Sequence, residues 1–507
     1  MNQEVVTEIR ELPKANVVEL RSSCLSYTEI LAQSVSVIAP STVPAAVLGL
    51  IYAKAGNATW LSFLLGCLGL VLVSLNINQF ARRSASPGSL YSYIVQGLGP
   101  TAGVLGGWAL LFGYLLTGMS TLCGFALIAN VLLEQLFGLQ LPVLFWFASG
   151  VLVSFYIAFR DIQLSAKAMF WFEGASIVAV VALAYMVWAN HGFTVDTAQL
   201  TMKDATPGNA LAGVVLVVFC FSGFESATGL GHEASKPHKN IPRAVIQSVV
   251  ISGLFFMLTA YVTVLGFGQG PAELGSLASS EAPLHTLANA MGAGYLGTFI
   301  NVGILLSFFS CTLASINSSA RIIYAMARHG LIPDALGQAH MSNQTPHVAV
   351  GLTALLTFGI PCALYMSGVN AFEGQEYFAT LCSFGFIVVY VLISVAAPVY
   401  LASIGKLTVR SVLYAVGGVG FMALPVAGTI GIPGSDILPV ADAAGSNFLA
   451  IFAAYMAVGL SWLVLQRMRQ PKLIDQMQHA VARMDLKRAQ VEARDLEVIP
   501  TLESKVI

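Results

Sequence analysis

Apolar residues run through this chain in blocks of about 20, parted by short polar or basic connections. Twelve such blocks lie near 29–52, 60–81, 101–136, 141–159, 166–189, 210–231, 244–268, 296–327, 347–368, 377–402, 410–431 and 447–466. At ~1.5 Å per residue each is long enough to cross a hydrocarbon layer of ~30 Å as a helix. The pattern predicts an all-α polytopic membrane protein with twelve transmembrane helices, the third and eighth long enough to tilt. Two blocks are exceptional in gathering helix-breaking and polar residues into one short stretch.

The first exception is Ala39-Pro40-Ser41-Thr42-Val43-Pro44, in the first block. Two prolines four apart remove backbone donors and disfavour a continuous helix. The second is Phe221-Ser222-Gly223-Phe224-Glu225-Ser226, in the sixth, with a glycine and a carboxylate at membrane depth. Loose backbone in hydrocarbon costs several kcal/mol per group unless it lines a cavity or finds partners. Pro40 and Gly223 lie 183 positions apart. That spacing fits two copies of a five-helix unit, and an odd number of spans makes the copies inverted. Interrupted helices at matching places point to a midplane solute site. Half-helix starts there can hold a carboxylate, and freed carbonyls can hold an ammonium or a cation.

Basic residues set the expected orientation. With the N-terminus inside, all of the 24 Lys and Arg except Lys54 and Lys203 fall on the cytoplasmic side. Both termini are expected there, in a multi-pass protein of the inner or plasma membrane. Residues 1–20 hold no long apolar stretch, so no cleaved signal is expected. Only 10% of residues are charged and the net charge is −1, which speaks against a nucleic-acid partner. The sequence holds no G-x-x-x-x-G-K-[ST] motif, no C-x-x-C pair among its seven cysteines and no His/Cys cluster at metal spacing. Neither an enzyme nor a cofactor is expected.

Four stretches carry a family resemblance. Phe221 to Ser226, followed by Glu233-Ala-Ser-Lys236-Pro237-His-Lys-Asn240-Ile241-Pro242-Arg243-Ala244, is similar to an F-x-G-x-E core and its E-x-x-x-P-x-x-x-I-P-x-A loop. Pro87-Gly88-Ser89-Leu90-Tyr91-Ser92-Tyr93 resembles a P-x-G-G-x-Y-x-Y segment. Arg321-Ile-Ile-Tyr324-Ala-Met-Ala-Arg328-His329-Gly330-Leu-Ile-Pro333 resembles R-x-x-Y-A-M-A-R-D-G-x-x-P. The break in the first block matches by position. Together they resemble the amino acid–polyamine–organocation (APC) superfamily of permeases. The resemblance implies a LeuT-type 5+5 inverted repeat plus two extra helices. The repeats are expected at 29–189 and 210–402, followed by 410–466. Cytoplasmic segments are expected at 1–28 and 467–507.

The implied function is a secondary active transporter for an amino acid or related amine, working by alternating access and driven by protons or exchange. A polyamine or cationic amino acid antiporter remains open, as does a non-transporting nutrient receptor on the same scaffold. Expected substrate contacts are Ile38, Ala39, Pro40, Ser41, Thr42, Phe219, Ser222, Gly223 and Phe224, with Phe219 the gate that the resemblance implies. Glu225 and Glu173 are the candidates for proton coupling, and both are expected in the cytoplasmic half, where they could meet. Thr117, Ser120 and Cys123 are candidates for the opposite wall, and Ser310, Thr312 and Ser315 for sodium ligation. Relatives break the first span at G-x-G, and some hold a lysine in the fifth. This chain has Ala39-Pro40-Ser41-Thr42 and, across 170–177, no lysine. The coupling partner thus stays open between H+, Na+ and a counter-substrate. Lys236, Lys239 and Arg243 are expected to face lipid headgroups.

Overall fold

The structure, a computed structural model, describes residues 19–268, 276–280, 283–432, 434–435, 438 and 443–469. Residues 1–18 and 470–507 of the two expected cytoplasmic segments lie outside that set. The described chain is helical throughout its core. In order come α1 (Tyr27–Ile38), a π-helical turn (Val43–Val47), α2 (Leu48–Ala55), α3 (Thr59–Ala81), α4 (Ser89–Leu98), α5 (Pro100–Phe137), α6 (Val143–Arg160) and α7 (Ile162–Asn190). Next are α8 (Pro207–Cys220), a 3-10 turn (Ser226–Leu230), α9 (Pro237–Gly268), α10 (Pro283–Ala290), α11 (Gly294–Arg328), α12 (His347–Met366), α13 (Ala371–Ser403), α14 (Val409–Ile430) and α15 (Ala443–Arg469).

Ten described helical runs are long and apolar enough to cross a membrane, against the twelve blocks expected. The difference lies at the two interruptions. The first and second blocks join through short turns into one run, Tyr27–Ala81, and the sixth is cut to the 14 residues of α8. The polar connection after α3 holds a helix that hydropathy did not mark: α4, whose Tyr91 and Tyr93 are fully buried.

Three long helices form the centre. α5 packs along both α11 and α13, and α7 lies against α11. The α5–α13 crossing is tight because Gly385 lacks a side chain: a Cβ there would lie 2.4 Å from the Ala109 carbonyl. α6, α14 and α15 lie outside, with large apolar side chains such as Leu152, Leu413, Val416 and Val458 exposed. Their apolar faces suit lipid, where each helix satisfies its own backbone.

Arg21, Asp161, Glu233 and Arg321 gather at one end of the bundle, the basic end. There the backbone of Cys24 and Leu25 donates to the Glu233 carbonyl at 2.8 and 2.9 Å, and Ser235 N–H returns to Leu25 at 2.9 Å. Arg21 pairs with Asp161 at 3.3 Å, and Gln163 Nε2 donates to the Cys24 carbonyl at 2.7 Å. At the far end, residues 277–279 lean on α2, where a Cβ on Gly49 would lie 2.8 Å from the Leu277 carbonyl.

Candidate functional site

Both interruptions are built from the residues that predicted them. Ala39 adopts left-handed backbone, φ 49° and ψ 61°, and ends α1. Pro40 and Pro44 supply no N–H, so the next turn widens into the π-helical Val43–Val47. The loosened carbonyls find other donors. Ala39 O accepts from Thr42 N at 3.0 Å and from Thr42 Oγ1 at 2.8 Å, and Val37 O accepts from Cys311 Sγ at 3.2 Å.

In the second break α8 stops at Cys220, and Gly223 takes φ +90°. Gly223 N–H donates to the Tyr390 hydroxyl at 3.0 Å, and the Phe224 carbonyl accepts from Ser248 Oγ at 3.2 Å. The breaks touch each other: a Cβ on Gly223 would lie 2.1 Å from Val37 Cγ1. Their continuations are joined, Ser226 Oγ donating to the Gln33 carbonyl at 3.2 Å and Ala227 N–H to Ser34 Oγ at 3.0 Å. Four helix ends therefore converge: the C-termini of α1 and α8 and the starts of the π-helical and 3-10 turns, where Ser226 and Thr228 N–H turn back to the Gly223 and Glu225 carbonyls.

Glu225 is fully buried. Its Oε1 accepts from Tyr114 of α5 and its Oε2 from Tyr390 of α13, both at 2.6 Å. Tyr390 serves twice, donating to the carboxylate and accepting from Gly223, so carboxylate and glycine are braced as one unit. Phe224 packs against the same tyrosine, ring centroids 5.1 Å apart and planes tilted by 44°. Glu173 lies elsewhere. Its Oε1 accepts from Ser307 Oγ of α11 at 3.0 Å, and the Ser41 backbone lies beside it. The expectation that the two acids could meet fails: they share no partner, because α5 and α13 hold one while α7 and α11 hold the other.

Of the expected contacts, Ile38, Ala39, Pro40, Ser41, Ser222, Gly223 and Phe224 are buried at the breaks, with Thr42 and Phe219 half-buried. The proposed wall on α5 turns away from them. Ser120 Oγ donates to the Gln375 carbonyl of α13 at 2.8 Å, Cys123 lies against Gly374, and Thr117 donates to Gly113 of its own helix at 2.8 Å. Ser310 Oγ donates to Ser36 Oγ at 2.9 Å, and Thr312 Oγ1 pairs with Thr121 at 2.9 Å. Ser315 lies near Gly118 with its hydroxyl unpartnered.

α11 emerges as a polar ladder that the sequence did not single out. Positions 307, 310, 314, 318 and 321 recur at helical spacing on one face. They engage in turn Glu173, Ser36, Gln33 at 2.9 Å, Gln33 again at 3.1 Å, and Glu233. The last rung is a buried two-pronged pair, Arg321 Nε to Oε2 at 2.8 Å and Nη2 to Oε1 at 2.7 Å. Nearby, His329 Nδ1 shares a 2.8 Å hydrogen bond with Tyr91 of α4, and burial together with Arg328 pushes this imidazole down to about 4. Tyr114, Tyr390, Ser307 and Gln33 were missed because a lone polar residue in an apolar run looks like core until its partner is seen.

Known proteins resemble this arrangement at low identity. The branched-chain amino acid permease BcaP of Bacillus subtilis (strain 168) is 25% identical over 364 residues, 68% of this chain and 74% of the relative. The low-affinity putrescine importer PlaP of Escherichia coli (strain K12) is 25% identical over 392 residues, 74% of this chain and 81% of the relative. Among solved structures, MhsT in complex with L-phenylalanine matches with a TM-score of 0.53 at 17% identity, over 80% of this chain and 98% of its own. That likeness is one of fold, the LeuT type. Residues 36–467, from just before the first break to the last described helix, match the family described as Amino acid permease, and the chain belongs to that family, within the APC superfamily.

Proposed function

We propose that the chain is a secondary transporter that carries an amino acid or related amine across a cell membrane by alternating access, with the cargo seated between the two breaks. The observation that supports this most is the convergence of four helix ends at membrane depth, at Ala39–Val43 and Phe221–Ser226. The carbonyl ends of α1 and α8 suit the ammonium of such a cargo. The relatives' names, a branched-chain amino acid permease and a putrescine importer, agree on an amine-bearing cargo. At the second break, Tyr114 and Tyr390 brace Glu225.

In this reading the basic end is cytoplasmic, as the distribution of Lys and Arg favours. Residues 29–189 and 210–402 are the inverted copies, 410–466 lies outside them, and 1–28 and 467–507 are cytoplasmic segments. The moving bundle comprises α1, α2, α3, α8 and α9, rocking against the others. The Arg321–Glu233 pair closes the basic end by joining α11 to the loop before α9.

The test is uptake of radiolabelled leucine, phenylalanine, arginine and putrescine by liposomes holding the purified protein. Saturable flux of one of them, competed by its unlabelled form, is expected. Saturable binding without flux would replace the transporter with a nutrient receptor.

A further inference from the structure

Gln33 of α1 is 1% exposed and leans on α11. Its Nε2 donates to the Ala314 carbonyl at 2.9 Å and to Ser318 Oγ at 3.1 Å. Both amide hydrogens are thereby spent, which fixes the orientation of the amide and turns Oε1 away from those two partners. That oxygen is buried and unpartnered. A second group in the same condition belongs to α11. Along the contact of α5 with α11, Gly124 meets Phe308, Gly118 meets Ser315 and Gly107 meets Met326, so the two helices run in opposite directions. This register sets Ser319 opposite Tyr114. Ser319 is 1% exposed, and its Oγ also lacks a partner.

These groups meet where α1, α5, α11 and the second break come together. Ser318 faces the Tyr114 hydroxyl, which donates to Glu225, and Ser226 Oγ donates to the Gln33 carbonyl. Gln33 lies six residues before Ala39, ~9 Å toward the basic end along α1. One turn further, on the same face, stands Glu29, whose Oε2 accepts from Ser26 Oγ at 2.7 Å. The chemistry here is that of acceptors. Gln33 Oε1 has nothing to offer a carboxylate, whereas an ammonium brings three donors. A neutral acceptor holds an ammonium less tightly than a carboxylate does, which suits a stop on a route.

We propose that Gln33 Oε1 and Ser319 Oγ form a second station for the ammonium of the cargo, between the breaks and the basic end. This rests on the transporter reading above. The cargo leaves the carbonyl ends of α1 and α8, is held at Gln33 and Ser319, and passes Glu29 once Arg321 and Glu233 part. Cargo entering from the basic end meets the same station first.

The experiment uses the full chain in membrane vesicles of both sidedness, with the probe among the four labelled solutes that gives saturable flux. Half-saturation is measured from each face. Gln33→Leu should raise it about tenfold from the basic end, the change that loss of one hydrogen bond to a charged group makes, and leave it unmoved from the opposite face. Gln33→Glu drops both donations but keeps the acceptor, so it should retain native or tighter half-saturation from the basic end. If Gln33 merely stitches α1 to α11, the two variants lose the same two bonds and behave alike. Ser319→Ala strips a hydroxyl that no protein group engages, so the melting midpoint should hold while half-saturation from the basic end rises several-fold. It decides alone should the Gln33 variants fail to fold.

Like behaviour of Gln33→Leu and Gln33→Glu overturns the proposal. So does unmoved half-saturation in Ser319→Ala, which would leave these atoms to water alone. Equal shifts from both faces overturn it too, since they would put the effect at the breaks themselves. In each of these cases the transporter reading survives. Flux of none of the four solutes removes both readings together.

Discussion

Replacing Gly223 by alanine tests the second break most directly. Two separate penalties meet there. Gly223 sits at φ +90°, where an added Cβ costs about 1–2 kcal/mol. That Cβ would also lie 2.1 Å from Val37 Cγ1 and 3.0 Å from Val37 Cβ. Neither atom belongs to a long flexible side chain, so α1 and the break must move apart, an overpacking cost of about 1–3 kcal/mol. Together these destabilise the closed arrangement by about 2–5 kcal/mol. The assay is thermal unfolding of the purified protein in detergent, alongside uptake in liposomes. Gly223→Ala should lower the midpoint and abolish most uptake. Val37→Ala in the same chain should recover the steric part and leave the backbone part, so the pair is non-additive. Full stability and full uptake in Gly223→Ala alone would show that the two breaks do not meet as described.

Other outcomes follow from the same contacts. Tyr390→Phe strips a donor from Glu225 and an acceptor from Gly223 N–H, whereas Tyr114→Phe strips one donor. At about 1–3 kcal/mol per orphaned group, Tyr390→Phe should be the more destabilising in the same melting assay, and equal losses would refute the double role. Arg321→Met leaves Glu233 buried and alone, a loss of about 3–5 kcal/mol that Arg321→Met with Glu233→Gln should largely recover. Unfolding midpoints decide, and an unaffected single variant would discount the pair. His329 is held neutral in the fold, its protonation pushed down to about 4, while the unfolded chain takes up that proton near 6.5. Its contribution is therefore present above pH 6.5 and is lost as pH falls toward 4, by about 3 kcal/mol in all. Melting profiles of His329→Gln should be flatter across that window than those of the native chain.

Much of this was legible in the residues themselves. Pro40, Pro44 and Gly223 forecast both breaks because each removes something a helix requires, a donor or a safe backbone angle. The ten uninterrupted runs followed from hydropathy, and α4 did not, because its burial against protein rather than lipid leaves a mixed pattern. Partners were the harder part. Glu225 stood out as an acid at membrane depth, but nothing in FIVVYVLIS marks Tyr390 as its donor, since that hydroxyl acquires its role only when α13 packs against the second break. Ser120 and Cys123 misled for the complementary reason. On a helix buried all round, small polar side chains point in every direction, and periodicity cannot say which neighbour each will meet.

The joint between α1 and α11 is stitched by Gln33, Ser36, Ser310, Ser318 and the Val37 carbonyl. Each stitch is a neutral hydrogen bond, worth about 0.5–1.5 kcal/mol net because water can take over either half. Such a seam unzips into solvent cheaply, one rung at a time. The glycine-floored crossing of α5 and α13 has less exchange to offer, the Ser120 hydroxyl on the Gln375 carbonyl aside, since wetting it would mostly uncover apolar surface. Which contacts would yield and which would hold is thus written in whether each has an aqueous substitute.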